Sequence, residues 1–287
     1  MGTRDASGER LDGLVDPATM RRLLEHEARV HAMPGRELRD LGDAILLHDP
    51  ADPEPFWNRI EAIRWPTEAN AFDRRLTETL ILFTSIGRQP HIWPSPIHDA
   101  PGDLADRLLA SGFHDVGSGC MMVMTNPEPA RRGAARPLGP QVSLERLGRG
   151  ASNGSATTLA DIVSVLCDAF HVEEARRPGV EAETAASLAN AAFTHYLARI
   201  DGEPAAVARR ATFDGVSYLS SIGTAAWARG RGLGEMVTMA ASADAVAVAS
   251  EWVHHGVFAD NEVAIRLYRR AGFEMLGEPA PDLLLLG

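Results

Sequence analysis

Three consecutive stretches in the second half of the chain, 195–200, 205–211 and 216–224, have the short apolar and β-branched composition of strands. Asp201-Gly202 and Asp214-Gly215 fall between them, and Asp-Gly between two strands is a strong hairpin signal. A strand over 142–147 precedes them, followed by a Gly/Ser/Asn loop at 148–156 and a helix from Thr158, whose hydroxyl and Asp161 would form a capping box. Beyond 224 the pattern predicts a longer helix, an extended segment at 252–258, a short helix and a strand at 274–276. In the short helix, Ala264, Leu267, Tyr268 and Ala271 recur at the i, i+3, i+4, i+7 spacing of one buried face; Asp260 or Asn261 would cap it and Gly272 would stop it. Meander, helix, strand, helix, strand is an α+β order, with helices packed on a mixed, mostly antiparallel sheet.

The first half carries a looser version of the same syntax. A helical run at 71–86 leads to extended residues 91–94, then to a helix that closes on Gly112-Phe113, as the later one closes on Gly272-Phe273, and then to a strand-like 117–124. An internal duplication accounts for this. Two unrelated helices that both end at glycine are the plainer alternative, since glycine is common at helix C-termini. Residues 125–141 are rich in Pro, Gly and Arg without apolar period and read as a linker. The expected organisation is therefore a first domain at 1–124, a linker at 125–140 and a second domain at 141–287.

Composition narrows the class. A chain of 287 residues with 45% apolar and 23% charged residues suits two ordinary globular cores. No stretch of about 20 apolar residues would span a membrane, and the polar N-terminus lacks the apolar core of a secretory signal, so cytoplasmic residence is expected. Cys120 and Cys167 sit in apolar runs and are expected to stay reduced. A net charge of −11 argues against nucleic acid as a partner and weakly favours a cationic small molecule or peptide, although it also simply aids solubility. The histidines lack metal-ligand spacing, so no metal is expected.

The chemistry concentrates after residue 222. Arg229, Gly230, Arg231, Gly232, Leu233 and Gly234 open a helix as R-x-x-G-x-G, which sets free backbone N–H groups and two side-chain-free positions, 232 and 234, where a pyrophosphate can approach. A lone Gly-rich loop is weak evidence, but the phrase from Asn261 to Tyr268 and on to Gly272-Phe273 follows in fixed order. Together they resemble the acetyl-CoA signature of the GCN5-related N-acetyltransferase (GNAT) family, a Q/R-x-x-G-x-G/A loop followed by an Asn-x-x-Ala-x-x-Leu-Tyr helix ending in Gly-Phe. Arg229, Gly232, Gly234, Asn261, Ala264, Leu267, Tyr268, Gly272 and Phe273 match it, and the likeness covers 141–287.

That resemblance implies a tandem of two GNAT-like domains and transfer of an acetyl or small acyl group from acyl-CoA to a primary amine by direct attack in a ternary complex. It implies that the amides of Arg229 to Gly234 hold the pyrophosphate, that Ile222, Gly223 and Thr224 pair with the pantetheine, that Asn261 steadies the cofactor arm and that Tyr268 protonates the leaving thiolate. Ala226 stands where the family often has proline. The first half looks like a degenerate partner: residues 64–70 precede its long helix and contain no glycine, so one active site per chain is expected. The general base is not legible. No acidic residue lies on 216–224, and His254 and His255 point to opposite faces of their strand, so only one would reach the acceptor side, with a surface or core role the plainer reading for both. Acceptor choice is expected to depend on 148–156 and 176–183. A non-catalytic acyl-CoA-binding module is the competing reading.

Overall fold

The computed structural model describes residues 15–33, 35–95, 97–148 and 156–286. In the first half, helix α1 (Pro17–Ala32) is followed by strands β1 (Glu37–Asp40), β2 (Ile45–His48) and β3 (Arg59–Glu61), helix α2 (Ala69–Ser85), β4 (His91–Ile92), α3 (Leu104–Ala110) and β5 (Phe113–Asp115). Next come β6 (Gly119–Met124), α4 (Glu128–Ala134), β7 (Val142–Gly148), α5 (Ala156–Ala169), α6 (Arg177–Ala189), β8 (Phe193–Ile200), β9 (Glu203–Phe213) and β10 (Val216–Thr224). Helix α7 (Leu233–Ala247), β11 (Trp252–Phe258), α8 (Glu262–Arg270), β12 (Phe273–Ala280) and β13 (Leu283–Leu285) complete the chain.

Both expected hairpins form. Asp201, Gly202, Asp214 and Gly215 all have positive φ, as two-residue hairpin loops matching the strand twist require. They build the antiparallel ladder β8-β9-β10, extended by β7 on β8. The chain then returns through α7 to β11, parallel to β10.

Two mixed, mostly antiparallel sheets result, of order β1-β2-β3-β4-β13-β5 and β7-β8-β9-β10-β11-β6-β12. Aligning β3 with β10 and β4 with β11 makes every later neighbour correspond, with the same sense of pairing, so the duplication is visible as topology. Gly112 and Gly272 share a φ of 95°, and Phe113 and Phe273 are both buried in their respective cores.

The sheets do not divide where the sequence does. Residues 119–124, expected in the first domain, form β6 between β11 and β12 of the second sheet, while β13, which the sequence pattern does not announce, lies between β4 and β5 of the first. Each half thus lends one strand to the other. The expected linker also contains α4, which buries Ala130 and packs so closely on α7 that a Cβ on Gly133 would come 2.7 Å from Met239 Cγ. Helix α5 begins at Ala156, so Thr158 lies inside it rather than capping it; Asp161 instead accepts a 2.7 Å hydrogen bond from Arg199.

Helix α1 wedges between the sheets. Its Met20 and Leu23 join Ile45 and Ala62 of the first half and Val123, Val216 and Leu276 of the second sheet in one apolar cluster. The same buried surface carries His26, Glu27 and His31, which breaks the apolar stripe and hides the helix from a pattern search.

Candidate functional site

Strands β10 and β11 pair only from Val216–Trp252 to Tyr218–His254. Beyond that the pair carries no further ladder. On its other edge β10 stays bonded to β9 as far as Thr224, with a bulge between Ser220 and Gly223 where Ser221 has a φ of 52°. The edge of β10 that faces β11, including Ile222, Gly223 and Thr224, is therefore left without a strand partner.

The loop after this edge is tied down from below. Arg229 donates to the carbonyls of Thr224 (3.3 Å) and Ala169 (3.4 Å), bridging the end of β10 to the end of α5. Asp168 accepts from the main-chain N–H of Ala226 at 2.5 Å, a bond that a proline at 226 would forfeit. Gly232 then stands at the N-cap of helix α7, with no side chain capping it. Among the described residues, no hydrogen bond uses the N–H of Gly230, Arg231, Gly232, Leu233, Gly234 or Glu235. These donors and the positive end of the α7 dipole lie together and would suit an anion.

The two glycines serve different needs. Around Gly232 there is open space, and its requirement is the φ of 76°. A Cβ on Gly234 would stand 3.0 Å from Thr224 Oγ1 and 3.7 Å from Leu267 Cδ1, so this position needs closeness between the β10 end, α7 and α8. An ion pair between Arg270 and Glu235 (2.7 Å) holds α8 to the same first turn of α7.

Asn261 caps α8, its Oδ1 accepting from the N–H of Ala264 at 3.1 Å, which leaves its amide nitrogen available to another partner. Tyr268 faces inward, its ring 3.9 Å from that of His255 and edge-on to Phe273. The hydroxyl has no hydrogen-bond partner among the described residues, and burial pushes its pKa up to about 12, which keeps it protonated at neutral pH.

Of the surface and core roles expected for the two strand histidines, the structure shows the core one. His254 and His255 do point to opposite faces, but both are buried. His254 Nε2 lies 3.3 Å from His26 Nδ1, and His255 Nδ1 lies 3.3 Å from the carbonyl of Gly256. Burial pushes His255 down to about 4 and His254 well below the usual imidazole value, so both are neutral core groups.

A carboxylate absent from the β10 sequence arrives from the other half. Tyr218 of β10 donates a 2.7 Å hydrogen bond to Glu27 Oε1 of α1, and a Cβ on Gly256 of β11 would lie 3.7 Å from that same oxygen. Glu27 therefore sits where β10 and β11 part, on the face opposite α8. Burial raises its pKa, while Arg59 and the Tyr218 hydrogen bond oppose the rise. The usable sequence signal was a charged residue at the centre of the Leu23, Leu24, Glu27, Val30, His31 spacing of a buried helix face.

Glu27 forms one wall of a cavity of about 40 Å³ between α1, the segment after β4 and strands β6, β11 and β12. Of the segments expected to shape the acceptor region, 149–155 lies outside the described residues. Residues 176–183 dock on the first half: Arg176 pairs with Asp52 and Glu54, and Glu183 lies between Arg36 and Arg209.

Residues 159–273 match the acetyltransferase (GNAT) family. No curated protein matches the chain. Among solved structures, a GCN5-related N-acetyltransferase from Kribbella flavida is similar over 93% of this chain and 95% of its own, with 21% identity and a TM-score of 0.68. A functionally unknown conserved protein from Staphylococcus epidermidis is similar over 88% of this chain and 96% of its own (12% identity, TM-score 0.64). A tandem GNAT protein from the clavulanic acid biosynthesis pathway is similar over 88% and 83% (15% identity, TM-score 0.60). At these identities the likeness is one of fold. No helix among the described residues is long and apolar enough to cross a membrane.

Proposed function

We propose, from the premise that residues 159–273 are a GNAT-family acetyltransferase domain in a chain of tandem-GNAT architecture, that the protein transfers an acetyl or small acyl group from acyl-CoA to a primary amine. The observation that carries this reading is the adjacency of the unpaired β10 edge and the uncapped N-terminus of α7. An amide-bearing chain that ends in a pyrophosphate matches both: its amides complete the β10 ladder at Ile222 to Thr224, and its phosphates meet the N–H groups from Gly230 to Gly234. Arg229 shapes this loop through its two carbonyl contacts, and Arg231, whose guanidinium lies over the Trp227 ring at 5.6 Å, adds charge.

Tyr268 lies on α8, held against the same turn through Gly234 and Glu235. In this reading its protonated hydroxyl supplies the proton that the leaving thiolate takes up. The amide nitrogen of Asn261 faces solvent at the start of α8, where it would steady the cofactor arm. The non-catalytic alternative draws on the missing carboxylate of β10; Glu27 at Tyr218 supports the catalytic reading by offering one from the first half.

The test has two parts. Calorimetric titration of the full chain should give one acetyl-CoA equivalent per monomer, and incubation with acetyl-CoA and a panel of primary amines should release CoA. Binding without release on any amine would leave only the non-catalytic module, and absence of binding would overturn the reading.

A further inference from the structure

We propose that the cavity between the two halves admits the acceptor's primary ammonium group and that Glu27, contributed by the first half, receives its proton. This rests on the acyl-transfer reading above.

The geometry places Glu27 and Tyr268 on opposite faces of the second sheet at one level. Consecutive residues of β11 divide between them: the His255 ring contacts Tyr268, while Gly256 lies against Tyr218 and Glu27. A thioester threaded where β10 and β11 part would have the phenol on one side and the carboxylate on the other. Because Gly256 has no side chain, nothing from β11 stands between that gap and the carboxylate.

The cavity is built for a small cation. Glu27 Oε1 is engaged by Tyr218, while Oε2 has no hydrogen-bond partner among the described residues. Ser95, 4% exposed, lines the same cavity with a hydroxyl that likewise has no partner, a buried polar group that would be costly to leave unpaired. Leu24, Met121 and Trp93 supply apolar wall, and exposed Glu278 a second carboxylate towards solvent. A volume of about 40 Å³ holds an ammonium group with its first carbons, so the rest of the acceptor extends outward.

The protons balance. The ammonium gives one proton to Glu27, and the freed lone pair forms the C–N bond to the thioester carbonyl carbon as the C–S bond breaks. Tyr268 protonates the thiolate, the second nitrogen proton restores Tyr268, and Glu27 releases its proton to solvent. Burial and Glu61 of β3 disfavour the charge on Glu27, while Arg59 and Tyr218 favour it. His31, 3.5 Å from Oε1 on the same helix, is held neutral by burial and nearby arginines. A carboxylate raised in this way is a stronger base than one in water.

The experiment compares wild type, Glu27→Gln and Tyr218→Phe in full-length protein, with acetyl-CoA and the best amine from the panel, from about pH 6 to about pH 10. Glu27→Gln should keep its acetyl-CoA affinity and melting temperature while kcat/KM for the amine falls about 100-fold near neutral pH, the deficit shrinking as the amine deprotonates unaided. It should also remove one titrating carboxyl band from pH-difference infrared spectra of the protein without substrates. Tyr218→Phe, which deletes the hydrogen bond favouring the carboxylate, should shift the acidic limb of the profile to higher pH. If Glu27→Gln turns over at the wild-type rate with an unchanged profile, this inference falls and acyl transfer stands; a wild type that binds acetyl-CoA but acylates no amine overturns both. Should glutamine at 27 unfold the chain, Tyr218→Phe decides, an unmoved acidic limb counting against Glu27.

Discussion

The two sheets share a strand order but treat the crevice between their parallel strands in opposite ways. In the second, β10 and β11 part after Tyr218 and α7 begins uncapped. In the first, the equivalent opening between β3 and β4 is filled by the protein itself. Ala100 bonds to the main chain on both sides of Arg64, donating to Ile63 and accepting from Trp65, and Asp99 accepts from the N–H of Ile63. Helix α2, the counterpart of α7, is capped by Glu68, whose carboxylate accepts from the N–H groups of Asn70 and Ala71. A side-chain anion thus occupies the place that a phosphate would need. Counting back from each Gly-Phe pair, Tyr268 corresponds to Leu108. One duplicated frame keeps the positive φ at the end of the strand, at Ala62 as at Ser221, yet fills its crevice with its own main chain and caps its helix with its own carboxylate.

The sharpest way to break this contrast is to give the second half the residue of the first. Tyr268→Leu and Tyr268→Phe should both lower turnover by about 10²- to 10⁴-fold, with little change in acetyl-CoA affinity, measured by stopped thiol-release assays beside calorimetry. Equal rates would remove Tyr268 as the proton donor.

Next in size is a pH effect on stability. β4 carries His91 hydrogen bonded to Asp282, whereas β11 buries His255 with its pKa pushed down to about 4. An unfolded histidine takes a proton below about pH 6.5 and this folded one does not until about 4, so its contribution is present above 6.5 and lost as pH falls through that window, about 3 kcal/mol in all. Urea midpoints at the two ends of the window should differ accordingly, and His255→Gln should flatten the slope. Glu183 acts lower down. Burial would raise it, but Arg209 and Arg36 hold it at about 2, so its stabilisation is lost as pH falls from the ordinary glutamate range towards that value.

Gly232→Val is a smaller lesion. A β-branched residue at that φ costs about 1–2 kcal/mol, so acetyl-CoA affinity should drop about tenfold or somewhat more if the loop shifts to relieve it. Smallest is Glu68→Ala, which should cost about 1 kcal/mol of stability through the lost cap. Titration should still give one acetyl-CoA per chain, because the crevice of the first half remains filled. Two equivalents would contradict the account of why that half is closed.

What could be read from the chain was local. The Asp-Gly hairpins, the Arg229 to Gly234 loop and the Asn261 to Phe273 helix each combine conformational and chemical needs within a few residues, so spacing alone exposes them. Spacing marks Glu27 only as a charge on an otherwise buried helix face and says nothing of its role, since its partner Tyr218 is 191 positions distant. β3 was equally opaque: Arg59 and Glu61 look solvent-facing, yet they are fully buried against each other at 3.0 Å. β6 was recognised as a strand but assigned to the wrong sheet, because strand character is set by neighbours in sequence and strand partnership by contacts the sequence does not display.

The exchanged strands make the two copies inseparable. A gene severed in the stretch around α4 would yield one fragment with a surplus strand and an empty slot, and another with the reciprocal defect, each exposing a ladder of unmet amides. Such pieces would re-associate when co-expressed and clump when made alone. The first half cannot be discarded, since the second sheet would then lack β6, the strand that joins β11 to β12.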